Sequence, residues 1–276
     1  MNNSKPNHFI QDLFNIEGKV FVVTGAASGI GEAMSVALSS SGATVLMIDQ
    51  NQATLEALEQ QWKKQHSDRN IQIAIADVSD KEELGKAINQ FIKKHGRIDG
   101  LFANAGISGG PGFGTEAGCE SGGLLNQTTE DWDRINKINL HGVLSSMQAV
   151  IPAMKTQGFG RIIVTASMTG LAPEPFVSYA YVLSKAAVIH LVRQSALEFA
   201  QFGIVINAIA PGYIKTNIAG GRLHDPELAK PLIEKTPLGR LGTQEDLHGL
   251  TIFLASRTSD YITGTTIPID GGHLLN

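Results

Sequence analysis

Cysteine is almost missing from this chain. Cys119 is the single one among 276 residues, so a disulfide framework and a cysteine-built metal cluster are both excluded. A lone loop thiol fits a reducing compartment. Long apolar runs are missing too: no stretch approaches the roughly 20 apolar residues of a membrane-crossing helix. Met1 to Asn15 is polar, with Pro6 and His8, and lacks the apolar run of a secretory leader. Nor does one sign of charge dominate. Lys and Arg number 22 against 26 Asp and Glu, a net charge of −4, with a pI near 6.1; there is no basic footprint for nucleic acid. His141, His190 and His248 stand apart from one another and mark no metal site. Hydrophobic residues still make up 42% of the chain, enough for a full core. These absences leave a soluble, cytoplasmic enzyme or small-molecule binder, with no metal, no nucleic acid and no membrane among its expected partners.

What the chain does have is alternation. After an extension over 1–17, with one helical turn at Phe9–Phe14, apolar strands are expected at Val20–Thr24, Ala43–Ile48, Ile71–Ala76, Gly100–Ala103, Arg161–Ala166, Val205–Ile209 and Thr265–Ile269. Helical patterns lie between them: Ile30–Ser41 ended by Gly42, Ala53–Lys64, an Asp80-capped helix to Lys94 stopped by Gly96, a long helix capped by Thr129 through Met154, Tyr179–Phe202, and Thr243–Ala255. Such alternation, without a linker or a shift in composition, predicts one doubly wound α/β domain of Rossmann type over 18–276, with a seven-stranded, mainly parallel sheet. Two long connections interrupt it. The first, 107–127, holds seven glycines and one proline; the second, 212–237, holds Gly220-Gly221, Pro226 and Pro231. Both follow the carboxyl end of a strand, the edge where open α/β sheets bind ligands. The glycines of the first fit a substrate loop or a disordered insertion alike.

Chemistry-bearing residues fall at these strand ends. Gly25, Gly29 and Gly31 form G-x-x-x-G-x-G between the first strand and the first helix. Glycines there permit close backbone approach to a pyrophosphate, and the helix N-terminus supplies free N–H groups. Asp49 ends the second strand, where a carboxylate accepts from ribose hydroxyls and repels a 2′-phosphate. No Arg or Lys lies within 25–31 or directly after Asp49, so NAD is expected over NADP. Tyr181 and Lys185 are one helical turn apart and share a face. A phenol ionises near about pH 10, and a neighbouring ammonium lowers that value, which makes Tyr181 a candidate general acid/base. Such pairs also occur on many exposed helices, so the rest of the chain has to decide.

Several motifs together resemble the short-chain dehydrogenase/reductase (SDR) family across Lys19 to Gly272: T-G-A-A-S-G-I-G at 24–31, Asp77-Val78, N-A-G at 104–106, N-L-H-G at 139–142, S-M-T-G at 167–170, Y-V-L-S-K at 181–185, P-G-Y-I-K-T at 211–216 and I-T-G-T-T-I-P-I-D-G-G at 262–272. Each is weak alone; all of them, in order and on the expected elements, make a specific match. The resemblance implies a catalytic set of Asn139, Ser167, Tyr181 and Lys185. It implies NAD held by Gly25, Ser28, Gly29, Ile30, Gly31, Asp49, Asp77, Val78, Asn104, Ala105, Gly106, Tyr181, Lys185, Pro211, Gly212, Ile214 and Thr216. Asp77 would meet the adenine amino group with the Val78 N–H, Asn104 would brace the sheet, and Ile209, Pro211, Ile214 and Thr216 would border the nicotinamide. Tyr181 would be the base, Ser167 would hold the reacting oxygen, Lys185 the ribose hydroxyls, and Asn139 a water on the proton path.

The implied reaction interconverts a secondary alcohol and a ketone by hydride transfer. Ser108, Met168, Thr169, Phe176, Tyr179, Tyr213 and Leu223 are the candidate substrate lining, mostly apolar, and Arg222 is a lone cation in the second loop. Tyr179 has Leu183 rather than a lysine four residues on, which suits it to the pocket wall. The Ser167–Tyr181 interval is one residue longer than the commonest family form, which bears on pocket shape. An NADPH-dependent 3-oxoacyl carrier-protein reductase is the nearest alternative, and a non-catalytic NAD-binding or scaffold protein the alternative of another class. The resemblance further implies a homotetramer.

Overall fold

The computed structural model describes residues 9–66, 69–216, 221 and 223–276; Arg222 lies outside them. Its strands are β1 (Val20–Thr24), β2 (Thr44–Asp49), β3 (Asn70–Ile75), β4 (Gly100–Ala103), β5 (Gly160–Thr165), β6 (Ile204–Pro211) and β7 (Thr266–Ile269). They form one sheet in the order β3-β2-β1-β4-β5-β6-β7, and every neighbouring pair is parallel. Parallel strands covered on both faces read as continuous apolar runs, as β1 and β4 do. Alternate residues of β1 feed two cores. Val20 and Val22 join one with Leu84, Ile88, Val150 and Val188; Phe21 and Val23 join the other with Met34, Leu38, Leu55 and Leu254.

The helices that cover the sheet are α2 (Gly29–Ser40), α3 (Gln52–Gln65), α4 (Lys81–His95), α5 (Thr129–Asn136), α6 (Gly142–Gln157), α7 (Tyr179–Phe199), α8 (Pro226–Glu234) and α9 (His248–Ala255), after a short α1 (Phe9–Phe14). Asp80 caps α4 through the N–H groups of Glu82 and Glu83, both at 3.0 Å, and Gly96 closes it at φ 69°. Strand order reverses between β1 and β4, so the loops after these two strands diverge and open a crevice.

Three elements differ from the sequence expectation. The long helix over 129–154 is interrupted: a π turn over Lys137–His141 separates α5 from α6. Its cap is Thr128, whose Oγ1 accepts the Asp131 N–H at 3.1 Å, not Thr129. The connection 212–237 contains α8, started by Asp225 as N-cap and Pro226 in the first turn. The glycine-rich connection 107–127 is built against the segment before α7: Pro111 bridges Val177, and the Gly114 N–H donates to the Pro175 carbonyl at 2.8 Å.

Candidate active site

The crevice begins at the glycine junction. Gly25 and Gly29 take left-handed φ values of 65° and 59°, a region that favours glycine. A Cβ at Gly31 would stand 2.1 Å from the Gly25 carbonyl oxygen, so only glycine lets α2 start this close to β1. Asn104, at the end of β4, locks the turn: its Nδ2 donates to the carbonyls of Thr24 and Gly25, both at 3.2 Å. Asp49 reaches the same loop from the end of β2. Its Oδ2 accepts the Ala27 N–H at 3.1 Å and its Oδ1 the Asn51 N–H at 2.9 Å. A carboxylate has about four acceptor sites, so room remains for ribose hydroxyls. Beside it lie the uncharged Gln50, Asn51 and Thr54. Glycine cradle, helix N-terminus and terminal carboxylate fit a dinucleotide.

The reacting end is built from β5 and α7. Ser167 follows β5, and its Oγ accepts from Thr169 N–H at 3.2 Å and Thr169 Oγ1 at 3.0 Å. Ser178 caps α7, accepting the Tyr181 N–H at 3.4 Å, which fixes the register of the Tyr181 and Lys185 face. Lys185 Nζ donates to the Thr165 carbonyl at 2.8 Å and lies 5.6 Å from the centre of the Tyr181 ring. Burial pushes the Lys185 ammonium down to about 8. Burial also pushes the Tyr181 phenol up from its ordinary value, while a hydrogen bond from Ser167 draws it back. The sequence argument had the ammonium lowering the phenol; in the structure burial sets the direction instead. Tyr181 remains open on its cavity side, so water screens part of that effect.

Asn139 is fully buried in the π turn, a helical irregularity common at functional sites. Its Oδ1 accepts the Ile107 N–H at 2.9 Å, and its Nδ2 donates to the Ile107 carbonyl at 3.0 Å and to Ser184 Oγ at 3.2 Å. A Cβ at Gly106 would meet Asn139 Oδ1 at 3.3 Å and Lys185 Nζ at 3.5 Å. Asn139 and Lys185 therefore face the same narrow gap.

One cavity of about 1150 Å³ joins the two ends, larger than the usual 300–1,000 Å³ of a small-molecule pocket. Gly25, Ser28, Gly29, Ile30, Asp49, Asn104, Ala105, Gly106, Tyr181, Lys185, Pro211, Gly212, Ile214 and Thr216 line it, as do Ser108, Ser167, Met168, Thr169, Phe176, Tyr213 and Leu223. Gly31 and Asn139 act from behind the lining. Ile209 is packed in the core. The Asp77 carboxylate accepts the Ser79 N–H at 2.8 Å, and Val78 packs where a Cβ at Gly142 would be; neither lines the cavity. Tyr179 is a correction: two residues before Tyr181 on a helix, it faces away, its ring 5.9 Å from that of Phe113. Thr115, Glu116 and Val177, with Glu227, Leu228, Pro231 and Leu232 of α8, complete the walls. The sequence marked their segments as ligand loops but not these residues.

An all-parallel doubly wound sheet, with a glycine cradle and an acid/base-capable tyrosine at its carboxyl edge, defines a nucleotide-binding oxidoreductase fold. Residues 25–273 match the family described as enoyl-(acyl carrier protein) reductase. The 3-oxoacyl-[acyl-carrier-protein] reductase FabG of Thermotoga maritima is 35% identical over 94% of this chain and 99% of its own. Among solved structures, a short-chain type dehydrogenase/reductase from Mycobacterium marinum superposes with TM-score 0.86 at 33% identity, covering 97% of this chain and 100% of the other. A gluconate 5-dehydrogenase from Burkholderia cenocepacia, in complex with NADP and tartrate, gives 0.86 at 30% identity over 97% and 99% of the two chains. The chain belongs to the short-chain dehydrogenase/reductase family, and it is an oxidoreductase of alcohol- and ketone-type small molecules.

Proposed function

We propose that this protein is an NAD-dependent dehydrogenase of a secondary alcohol of moderate size, with Tyr181 as general acid/base. The observation that carries the reading is the convergence of Ser167, Tyr181 and Lys185 on a cavity that ends at Asp49. NAD, when bound, accepts the hydride from the alcohol carbon. Gly25, Ser28, Gly29, Ile30 and the α2 start receive the pyrophosphate, Asn104 braces the turn, and Asp49 accepts from the adenosine ribose. Pro211, Gly212, Ile214 and Thr216 border the nicotinamide end, and Lys185 holds its ribose hydroxyls.

Ser167 Oγ hydrogen-bonds the reacting oxygen and fixes its distance from the Tyr181 hydroxyl. Tyr181 takes the alcohol proton as phenolate. Its raised value in the free protein leaves the phenol protonated at neutral pH, so the cationic surroundings of the bound state must favour the phenolate. Lys185 and Asn139, facing one gap beside Gly106, carry the proton outward through a water. The substrate touches Ser108, Met168, Thr169, Phe176, Tyr213 and Leu223. Lys185 is the one basic residue lining the cavity among the described residues, so the described substrate end offers no basic side chain of its own to a substrate phosphate or a carrier-protein arm. The protein acts in the cytoplasm as a homotetramer.

The Asp49 carboxylate supports NAD over the NADP found with the gluconate 5-dehydrogenase. The test is reduction of NAD and of NADP by the wild type across secondary alcohols, sugars, hydroxysteroids and hydroxy acids. We expect NAD to be preferred. Asp49→Arg should move the NADP/NAD ratio of kcat/KM upward by about tenfold or more. An unchanged ratio would mean that Asp49 does not meet the ribose.

A further inference from the structure

A buried polar cluster has no part in the proton or hydride path. Glu174 lies between Ser167 and Tyr181, flanked by Pro173 and Pro175, where a solvated loop glutamate is the ordinary outcome. Its side chain is instead only 7% exposed. Oε1 accepts the Phe176 N–H at 3.2 Å, and Oε2 lies 3.3 Å from His273 Nε2. The His273 ring meets Tyr213 edge-on, with centroids 5.3 Å apart. Phe176 and Tyr213 both line the cavity. A carboxylate taken from water is costly unless paired and hydrogen-bonded, and this one bonds one cavity wall, Phe176, and the histidine packed against another, Tyr213.

His273 is placed by a rigid reversal after β7. Asp270 accepts the Gly272 N–H at 3.0 Å and the Leu274 N–H at 2.9 Å through its two oxygens. Gly271 and Gly272 supply left-handed φ values of 64° and 89°. On its other side the Phe176 segment is held by the glycine-rich connection, through Gly112 N–H to the Phe176 carbonyl at 3.2 Å and Gly114 N–H to the Pro175 carbonyl at 2.8 Å. Lys235, just past α8, places its ammonium 4.5 Å from the centre of the Phe176 ring.

We infer that Glu174 and His273 are positioning residues that fix Phe176 and Tyr213, set the width of the substrate end of the cavity, and thereby decide which sizes of alcohol are accepted. The inference deepens the proposed activity and rests on it for its kinetic readout. Fixed apolar walls discriminate by size, one methylene altering kcat/KM by roughly 10- to 200-fold.

The experiment compares wild type with Glu174→Ala, His273→Ala, the double variant, and the conservative Glu174→Gln and His273→Gln, on secondary alcohols of graded size with NAD. The alanine variants should change the kcat/KM ratio between the smallest and largest accepted alcohols by about tenfold. The change should appear in KM, with kcat within about threefold and NAD affinity unchanged. The double variant should be no worse than either single one, and His273→Gln, which can still donate to Glu174, should restore most of the selectivity. Unchanged size selectivity, or an equal loss for every alcohol together with a lower Tm, overturns the inference in favour of a merely structural pair. Amide hydrogen exchange reads the same coupling without turnover. Exchange over 111–114 and 174–177 should quicken in the alanine variants while α7 and the sheet keep their protection; unchanged exchange there also overturns it. If the wild type turns over no alcohol, the proposed activity fails, and the exchange result alone decides the role of the pair.

Discussion

Lys185 carries its ammonium into a site where the residue is only 4% exposed, with its value lowered from 10.5 to about 8 by burial. Below about pH 8 both folded and unfolded chains hold this proton, and the folded state bears the full cost of the buried charge. Between about 8 and 10.5 the folded protein releases it first, the unfolded chain binds more protons, and stability rises with pH. Each unit is worth roughly 1.4 kcal/mol. Lys185→Met, apolar and of similar length, should therefore raise Tm by a few degrees at pH 7, the gain shrinking as pH climbs from 8 to 10, while turnover is lost. Thermal unfolding at a series of pH values checks this; a lower Tm at pH 7 would mean the ammonium is net stabilising. At this scale the sequence was informative where a side chain's role follows from its neighbours in the chain. Tyr181 and Lys185 share a face by spacing alone. Tyr179 was placed on the wrong side although the same spacing rule sets residues two apart on a helix against one another. The direction of the Tyr181 shift was out of reach, since it depends on burial that spacing does not report.

The β1–α2 junction is where one element's geometry sets another's. Gly31→Ala puts a methyl 2.1 Å from the Gly25 carbonyl and 2.6 Å from Asn104 Nδ2, and backbone cannot yield as a side-chain tip can. The variant should be destabilised by about 1–3 kcal/mol, with weaker NAD binding, measured by denaturant unfolding and by cofactor titration; wild-type stability would mean the junction is looser than its geometry. The strands were legible because burial on both faces leaves a continuous apolar run, and β1 and β4 begin and end where the pattern does. The π turn was not, because no proline or glycine inside 137–141 marks it; the extra residue shows only in the packing of Asn139 against Ile107. α8 was hidden by its prolines. Pro226 reads as a breaker but starts a helix, its missing N–H being one of the unpaired donors of the first turn.

Exposed apolar side chains occur on several elements of the molecule, among them the helices α5, α6 and α7. Trp132 of α5, Leu144 of α6, and Leu183 and Leu197 of α7 are 37%, 39%, 47% and 78% exposed. The homotetramer proposed above would be expected to cover such side chains. Sedimentation should give four copies of the 29.4 kDa chain, and Leu183→Glu with Leu197→Glu should lower that mass; a monomer at micromolar concentration would contradict it. Among the described residues no helix is long and apolar enough to cross a membrane. Fold class and the seven-stranded sheet followed from alternation alone; the strand order came only with the structure. The cavity's far walls did not follow either, because Glu227 and Leu228 and the 114–117 segment line it from two glycine- and proline-rich connections far apart in the sequence.

The measurement closest to the central claim is NAD reduction by Tyr181→Phe with a secondary alcohol that the wild type oxidises. Removing the one hydroxyl should lower kcat/KM by a factor on the order of 10³, while NAD affinity stays within about twofold, since the ring and Lys185 remain. Wild-type-like turnover by Tyr181→Phe would contradict the assignment of Tyr181 as the acid/base.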